Sequence, residues 1–304
     1  MFIIVRKTGQ LGNRMMLFAN FMAFAMEYNL KFINPAFDEY AVFFEGTHND
    51  FFCRYPAKKS ILKGNSLKLK RNFHRVVYHS TRLLVKDSTD FKLSNIKILR
   101  DTGVHRGVIF NDNFAKYFKN NQLVFIHGFW FRNPVLFLKY SDIIRNFFTP
   151  LKQHAENIKK LVTNLKNSCD ILVGVHIRQG DYKKLLGAKY LYSTDEYVNL
   201  MKNTECLFPG KKVKFLICSN VPQDRDKFSK LDFAFANNHI VEDMYSLAQC
   251  DYIIGPPSSY NMWAGFYGRV PLYWIEDPEA DISLNSFQIY DVPLDVAPPI
   301  SFAQ

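Results

Sequence analysis

The chain has 304 residues, 48% hydrophobic and 16% aromatic, with a net charge of +11; this is enough apolar material for two packed domains and excludes a disordered polymer. No apolar run approaches the roughly 18 residues that a membrane-crossing helix needs, which excludes that class as well. Five scattered cysteines (Cys53, Cys169, Cys206, Cys218, Cys250), odd in number and without a CxxC pair, argue against a disulfide framework or zinc site and for a reducing, cytoplasmic setting.

Met1 to Val5 runs straight into Arg6, Lys7 and a glycine loop, without the order of regions a signal peptide requires. The opening instead reads as a strand (2–5), a loop (Thr8 to Asn13) and a nearly all-apolar helix (15–27), the first half of a βαβ unit. Residues 31–34 form the next expected strand, whereas 37–122 is irregular and yields no assignment. Within it, residues 54–106 hold fourteen Lys and Arg against only Asp87, Asp90 and Asp101, so this segment alone carries the whole net charge. A solvated basic face and a surface for nucleic acid, anionic lipid or acidic glycan both fit it; residues 67–86 interleave apolar and basic residues as an interfacial helix would. No RRM, KH, zinc-finger or helix-turn-helix signature supports a nucleic-acid partner.

From residue 123 the pattern is regular: a strand (123–127), helices (141–148, 155–165), then a strand (171–178), helix (194–201), strand (213–218) and short helix (225–230). Strand, helix, strand, helix, strand continue at 239–241, 243–249, 252–254, 261–267 and 271–275. Such alternation predicts a parallel, doubly wound α/β sheet, with a domain boundary near residue 150 and ligands beyond the carboxyl ends of the strands.

Three segments at such ends carry candidate chemistry. Gly174-Val-His-Ile-Arg-Gln-Gly-Asp-Tyr182 ends a strand in a polar burst; period two puts His176 and Arg178 on one face. An arginine fork there suits a diphosphate, although a structural Arg178–Asp181 pair with a core His176 fits equally well. Gly255-Pro-Pro-Ser-Ser-Tyr-Asn261 brings hydroxyls and N–H groups to a helix start, which is either an anion site or an ordinary cap. Gly9-Gln-Leu-Gly-Asn-Arg14 permits close backbone approach but is neither GxGxxG nor a P-loop.

Together these segments resemble the α-1,2-fucosyltransferases of glycosyltransferase family 11. Gly9 to Asn13 is similar to that family's GGLGNQ opening, 176–182 to HxRxGDY, 258–264 to its SSFSWW-type segment, and Glu242-Asp243-Met244 with Cys250-Asp251 to its ED(M/L)…CD stretch. The likeness is patchy over 1–29 and nearly continuous over 171–275. Gln10, Arg14, Gln179, Tyr260 and Met262 depart from the pattern. The resemblance implies the GT-B fold, two Rossmann-like doubly wound domains facing a cleft, with 1–150 mainly binding acceptor and 151–304 binding GDP-fucose. It further implies an inverting galactoside α-1,2-fucosyltransferase acting on an oligosaccharide. The basic segment 54–106, and not the resemblance, gives a further expectation: peripheral attachment to an anionic inner membrane face that holds a lipid-linked acceptor. Another linkage or a protein acceptor within the same fold, and a basic nucleic-acid-binding protein, are the alternatives.

The residues the resemblance implies for donor binding are Gly12, Asn13, Arg178, Tyr182, Asp243, Ser258, Ser259 and Tyr260, with Arg178, Asp181 and His176 as catalytic candidates. Arg178 is expected on the diphosphate, Ser258 and Ser259 on phosphate oxygens, Asp243 on the nucleoside, and Asn13 reaching the donor from the other domain. Fixed donors replace a metal in stabilising the departing GDP, so no metal or cofactor is expected. Asp224-Arg225-Asp226 is read as the acidic first turn of a helix and not as a metal-binding DxD. Asp181, His176 and Glu45 stand as alternatives for the general base, alongside the leaving phosphate.

Overall fold

A computed structural model describes residues 1–58, 66–84, 91–93, 96–100, 108–109, 115–116, 118, 123–183 and 186–293. Of the basic segment, residues 59–65, 85–90, 94–95 and 101–106 lie outside the described residues. The chain divides into two compact units, Met1–Leu151 and Lys152–Gln304.

In the first unit the strands are β1 (Phe2–Ile4), β2 (Phe32–Ile33), β3 (Arg54–Tyr55), β4 (Phe91–Leu93), β5 (Ile96–Arg100), β6 (Val108–Ile109), β7 (Leu123–His127) and β8 (Phe131–Arg132). Six form one sheet in the order β3-β2-β1-β7-β5-β4, parallel except for the two edge strands, while β6 pairs with β8. The helices are α1 (Leu11–Tyr28), α2 (Leu67–Leu84), α3 (Pro134–Lys139) and α4 (Ser141–Phe147). Helix α1 contains no β-branched residue, is rich in Met, Leu and Ala, and is buried continuously from Met15 to Ala25; its sequence is accordingly apolar all round instead of amphipathic. It stops at Asn29, whose left-handed conformation returns its N–H to Ala25 O. Phenylalanines fill the core beneath it, with Phe18 edge-on to Phe32, Phe37 and Phe148.

The second unit has strands β9 (Ile171–Ile177), β10 (Val213–Ser219), β11 (Phe233–Phe235), β12 (Tyr252–Gly255) and β13 (Leu272–Trp274). All are parallel, in the order β11-β10-β9-β12-β13. Helices α5 (Lys152–Lys166), α6 (Thr194–Cys206), α7 (Ile240–Leu247) and α8 (Ser259–Gly268) join them, α6 starting on a capping box between Ser193 and Glu196. The chain winds outward from β9 through β10 to β11, then returns to β12 on the other side of β9. Strand order therefore reverses between β9 and β12, where a doubly wound sheet opens a crevice at its carboxyl ends. Strand β9 is buried along nearly its whole length, as a central parallel strand must be.

One expected element is corrected. Residues 239–241 are not a strand: His239 is the N-cap of α7, its ring nitrogen accepting from Val241 N, and the edge strand is β11. The aromatic run there pairs with β10, Phe215 opposite Phe233, while a side-chain cap ties 239–241 to the helix. The strand expected over 171–178 ends at Ile177, so Arg178 lies just past it. Among the described residues no helix is long and apolar enough to cross a membrane.

Candidate functional site

The reversal point gathers the two strongest sequence segments. Arg178 leaves the end of β9 and lies beside the turn that carries Asp181 and Tyr182. Its Nε and Nη2 donate to the two Asp181 oxygens at 3.1 and 2.6 Å, and Nη1 donates to Ser258 Oγ at 3.2 Å. The guanidinium carbon also stands 5.0 Å from the Tyr182 ring centroid. A guanidinium has five N–H donors; among the described residues three are engaged, which leaves one on each terminal nitrogen for a ligand. Two fixed N–H groups on one planar cation match the oxygens of a phosphate.

The turn after β12 supplies the other side. Ser258 caps α8, accepting from Tyr260 N at 3.2 Å, and both Ser258 and Ser259 are buried. Tyr182 donates its hydroxyl to Pro257 O, tying the two turns together. Gly255 is required by the packing: a Cβ there would fall 2.2 Å from Asn261 Nδ2 and 3.2 Å from the His176 Cβ. Asn261, buried, donates to Pro256 O at 2.9 Å and holds the turn from within. Tyr260 is buried with its hydroxyl on Ile240 O at 2.8 Å, so its polar end is already engaged by the protein.

His176 lies in the β9 interior, its ring 4.8 Å from that of Tyr260. Burial, aided by the Arg178 charge, lowers its pKa to about 3, so the imidazole is neutral. Its Nδ1 is buried with no hydrogen-bond partner among the described residues, an unmet need that a bound ligand can satisfy. The Arg178 hydrogen bonds hold the Asp181 carboxyl below its usual range. Asp243, in the first turn of α7, is displaced the other way: burial raises its pKa to about 7, although it accepts from Asn238 N at 3.2 Å.

In the first unit, Gly12 and Asn13 form the first turn of α1. Gly9 has φ +60, and a Cβ there would stand 2.1 Å from Asn13 Nδ2, so only glycine leaves room for Asn13 to fold over the loop. Arg14, a departure from the family pattern, braces this loop by donating to Gly9 O at 3.2 Å and pairing with Glu39 at 2.9 Å; Lys7 bridges Glu39 and Asp38. Glu45 lies in the turn after Phe44, with its carboxylate half exposed and 3.9 Å from His48 Nδ1. Asp224 caps a single 3-10 turn, its carboxylate accepting from Asp226 N at 3.1 Å.

Asn220 is a positioning residue that the sequence reading missed. Its Oδ1 accepts from Gln179 N and Gly180 N at 3.0 and 3.4 Å, and its Nδ2 reaches Asp181, so it shapes the loop that aims Arg178. Gln223 donates to Gln179 Oε1 at 2.9 Å, while Gln179 donates to Tyr192 O; Gln179 is thus absorbed in an amide network. The available signal was the Ser219-Asn220 step at the end of β10, a third polar burst at a strand's carboxyl end. Two cavities of about 460 Å³ each flank this loop, one lined by Ser219, Arg225 and Phe235, the other by Lys183, Tyr192 and Glu196; both have the size of a ligand site.

Residues 68–270 match the model of the family described as Glycosyl transferase family 11. No curated protein matches the chain. Among solved structures it is similar to an arginine-to-lysine mutant of Arabidopsis thaliana FUT1 in complex with GDP (TM-score 0.54, 11% identity, 91% of this chain and 71% of that one). It is also similar to NodZ alpha-1,6-fucosyltransferase soaked with GDP-fucose (0.50, 16%, 92% and 97%) and to POFUT1 in complex with GDP (0.51, 10%, 89% and 97%). At these identities the likeness establishes the fold, GT-B with Rossmann-like α/β units.

Proposed function

This chain belongs to glycosyl transferase family 11, and from that premise we propose that it transfers L-fucose from GDP-β-L-fucose to a sugar hydroxyl, the 2-OH of a galactoside. The observation that carries the reading is the Arg178 fork: two open N–H groups at the strand-order reversal, braced by Asp181 and Ser258 and beside the start of α8. The GDP and GDP-fucose named with the solved fucosyltransferases of this fold support the choice of donor.

In this reading Arg178, Ser258, Ser259 and the N-terminus of α8 receive the diphosphate, His176 Nδ1 meets the ligand as a neutral hydrogen-bond partner, and Asp243 takes the donor edge of guanine. The bond from the anomeric carbon to the β-phosphate oxygen breaks with its electron pair on the phosphate, the sugar passes through an oxocarbenium-like state, and the acceptor oxygen bonds from the opposite face, its proton passing through solvent to the departing phosphate. Charge growing on the departing GDP is met by fixed donors, worth roughly 100- to 1000-fold in rate for a single one, so no metal is required. Asp181, whose carboxylate is spent on Arg178, and His176, too weak a base at a pKa of about 3, act as positioning and binding residues and not as proton acceptors. In this reading the second unit takes the donor and, as the family resemblance implies, the first unit takes the acceptor.

A panel of GDP-sugars incubated in EDTA with galactosides and other glycans tests this. GDP-fucose turnover that survives chelation, with fucose on a galactoside 2-OH, is the expected result. Dependence on a divalent metal, or preference for another nucleotide sugar, refutes the assignment.

A further inference from the structure

Helix α2 presents its aliphatic side outward. Leu69, Val76 and Leu83 are 56%, 65% and 78% exposed, and their seven-residue spacing keeps them within about 40° of one another around the helix at roughly 100° per residue. The inward face is held by polar and aromatic anchors instead. Lys70, nearly fully buried, donates to Asp50 O at 3.2 Å; His74 Nε2 donates to Val5 O at 2.8 Å; Thr81 Oγ1 meets His127 Nε2 at 2.8 Å. Phe73 packs on Phe51 and Phe52. These anchors set the rotation of the helix, so the aliphatic stripe is not free to turn into the core. Along one flank of the stripe run Lys68, Arg71, Arg75 and Arg82, all exposed, and α2 contains no Asp or Glu.

We propose that this face of α2 docks the protein on an anionic lipid bilayer, the aliphatic stripe entering the interface and the basic row meeting lipid phosphates. The side chains favour that occupant. A bilayer accepts aliphatic groups without a shaped partner and rewards adjacent cations. A nucleic acid would reward several stacking aromatics, and among the exposed residues of α2 the one ring is that of His79. The inference is independent of which sugar is transferred; its consequence is that the first unit works at the surface where a lipid-linked acceptor is held.

The test is co-sedimentation of the full chain with phosphatidylcholine vesicles, with and without phosphatidylglycerol, at low and near-physiological salt. Two variants accompany it: Leu69→Ser with Val76→Ser and Leu83→Ser, and Lys68→Gln with Arg71→Gln and Arg75→Gln. Each surface cation is worth about fivefold in partitioning, so the second variant should bind on the order of 100-fold more weakly, and the first should bind at least tenfold more weakly, roughly, from lost aliphatic contact. Binding that requires phosphatidylglycerol, weakens with salt and falls in both variants is expected. No binding to anionic vesicles at low salt, equal binding to neutral vesicles, or undiminished binding by either variant overturns the proposal. All six side chains are exposed, and an unchanged far-UV circular dichroism spectrum and thermal unfolding profile report that each variant has folded.

Discussion

Replacing Asp243 with asparagine, and titrating GDP into both proteins by calorimetry between about pH 6 and about pH 8, separates a guanine contact from a merely buried carboxyl. Guanine offers N–H donors at N1 and the 2-amino group, which the carboxylate accepts and the neutral acid accepts poorly. With a pKa of about 7, Asp243 is roughly one-tenth ionised at about pH 6 and nine-tenths ionised at about pH 8, so wild-type affinity should rise about ninefold across that span. The phosphates of GDP titrate nearby, but they do so equally in both proteins, and the ratio of the two affinities isolates the carboxyl. The ligand-free protein should behave oppositely. Because the folded pKa lies above the unfolded one, the folded state binds the extra proton, and the stability associated with it is lost as pH rises from about 4 through about 7, on the order of 2 kcal/mol allowing for partial exposure. Asp243→Asn should lack that slope. Parallel pH profiles of GDP affinity in wild type and variant, or tighter wild-type binding at low pH, would refute the contact.

Arg178→Lys and Arg178→Ala should each reduce single-turnover transfer from GDP-fucose by roughly 100- to 1000-fold, because an ammonium cannot span Asp181, Ser258 and a phosphate in one plane; near-normal turnover in the lysine variant would show that the fork is not used. Asp224→Ala combined with Asp226→Ala should leave turnover in EDTA within about twofold of wild type, since the Asp224 carboxylate only caps a turn, by accepting from the Asp226 backbone N–H; a loss restored by manganese would reinstate a metal site. Gly255→Ala should lower stability by about 2–3 kcal/mol, read as a fall in Tm, because its methyl group would displace buried Asn261 from Pro256 O. An unchanged Tm would show that this corner of the second unit can relax.

Where chemistry and local pattern coincide, the sequence was readable. Strands β9, β10 and β12 and helices α6 and α8 stood out because parallel strands buried on both sides read as short apolar runs, and each ends at a turn whose glycines, prolines or caps are local signals. Segment 37–122 was not readable. Strands β3 and β6 are two residues long and carry no period, and their pairing is set by distant partners such as Phe32 opposite Tyr55. His239 read as strand because a cap is a hydrogen bond and not a periodicity. At the site, the motif named Arg178, but Asn220 and Ser258, which aim it, lie about 40 and 80 residues away along the chain and meet it only through the order of β9, β10 and β12.

By itself, then, the sequence determined the family, the alternation of the second unit and the cation at its strand end, because helix and strand periods, turn residues and charge are written in neighbouring positions. Only the tertiary structure decided which of Arg178's donors stay open, that burial drives His176 and Asp243 to opposite ends of the titration range, and that α2 turns lysine, histidine and threonine inward and leucine and valine out. These depend on which groups meet across the fold and on how much water they lose in doing so, and neither can be read along the chain.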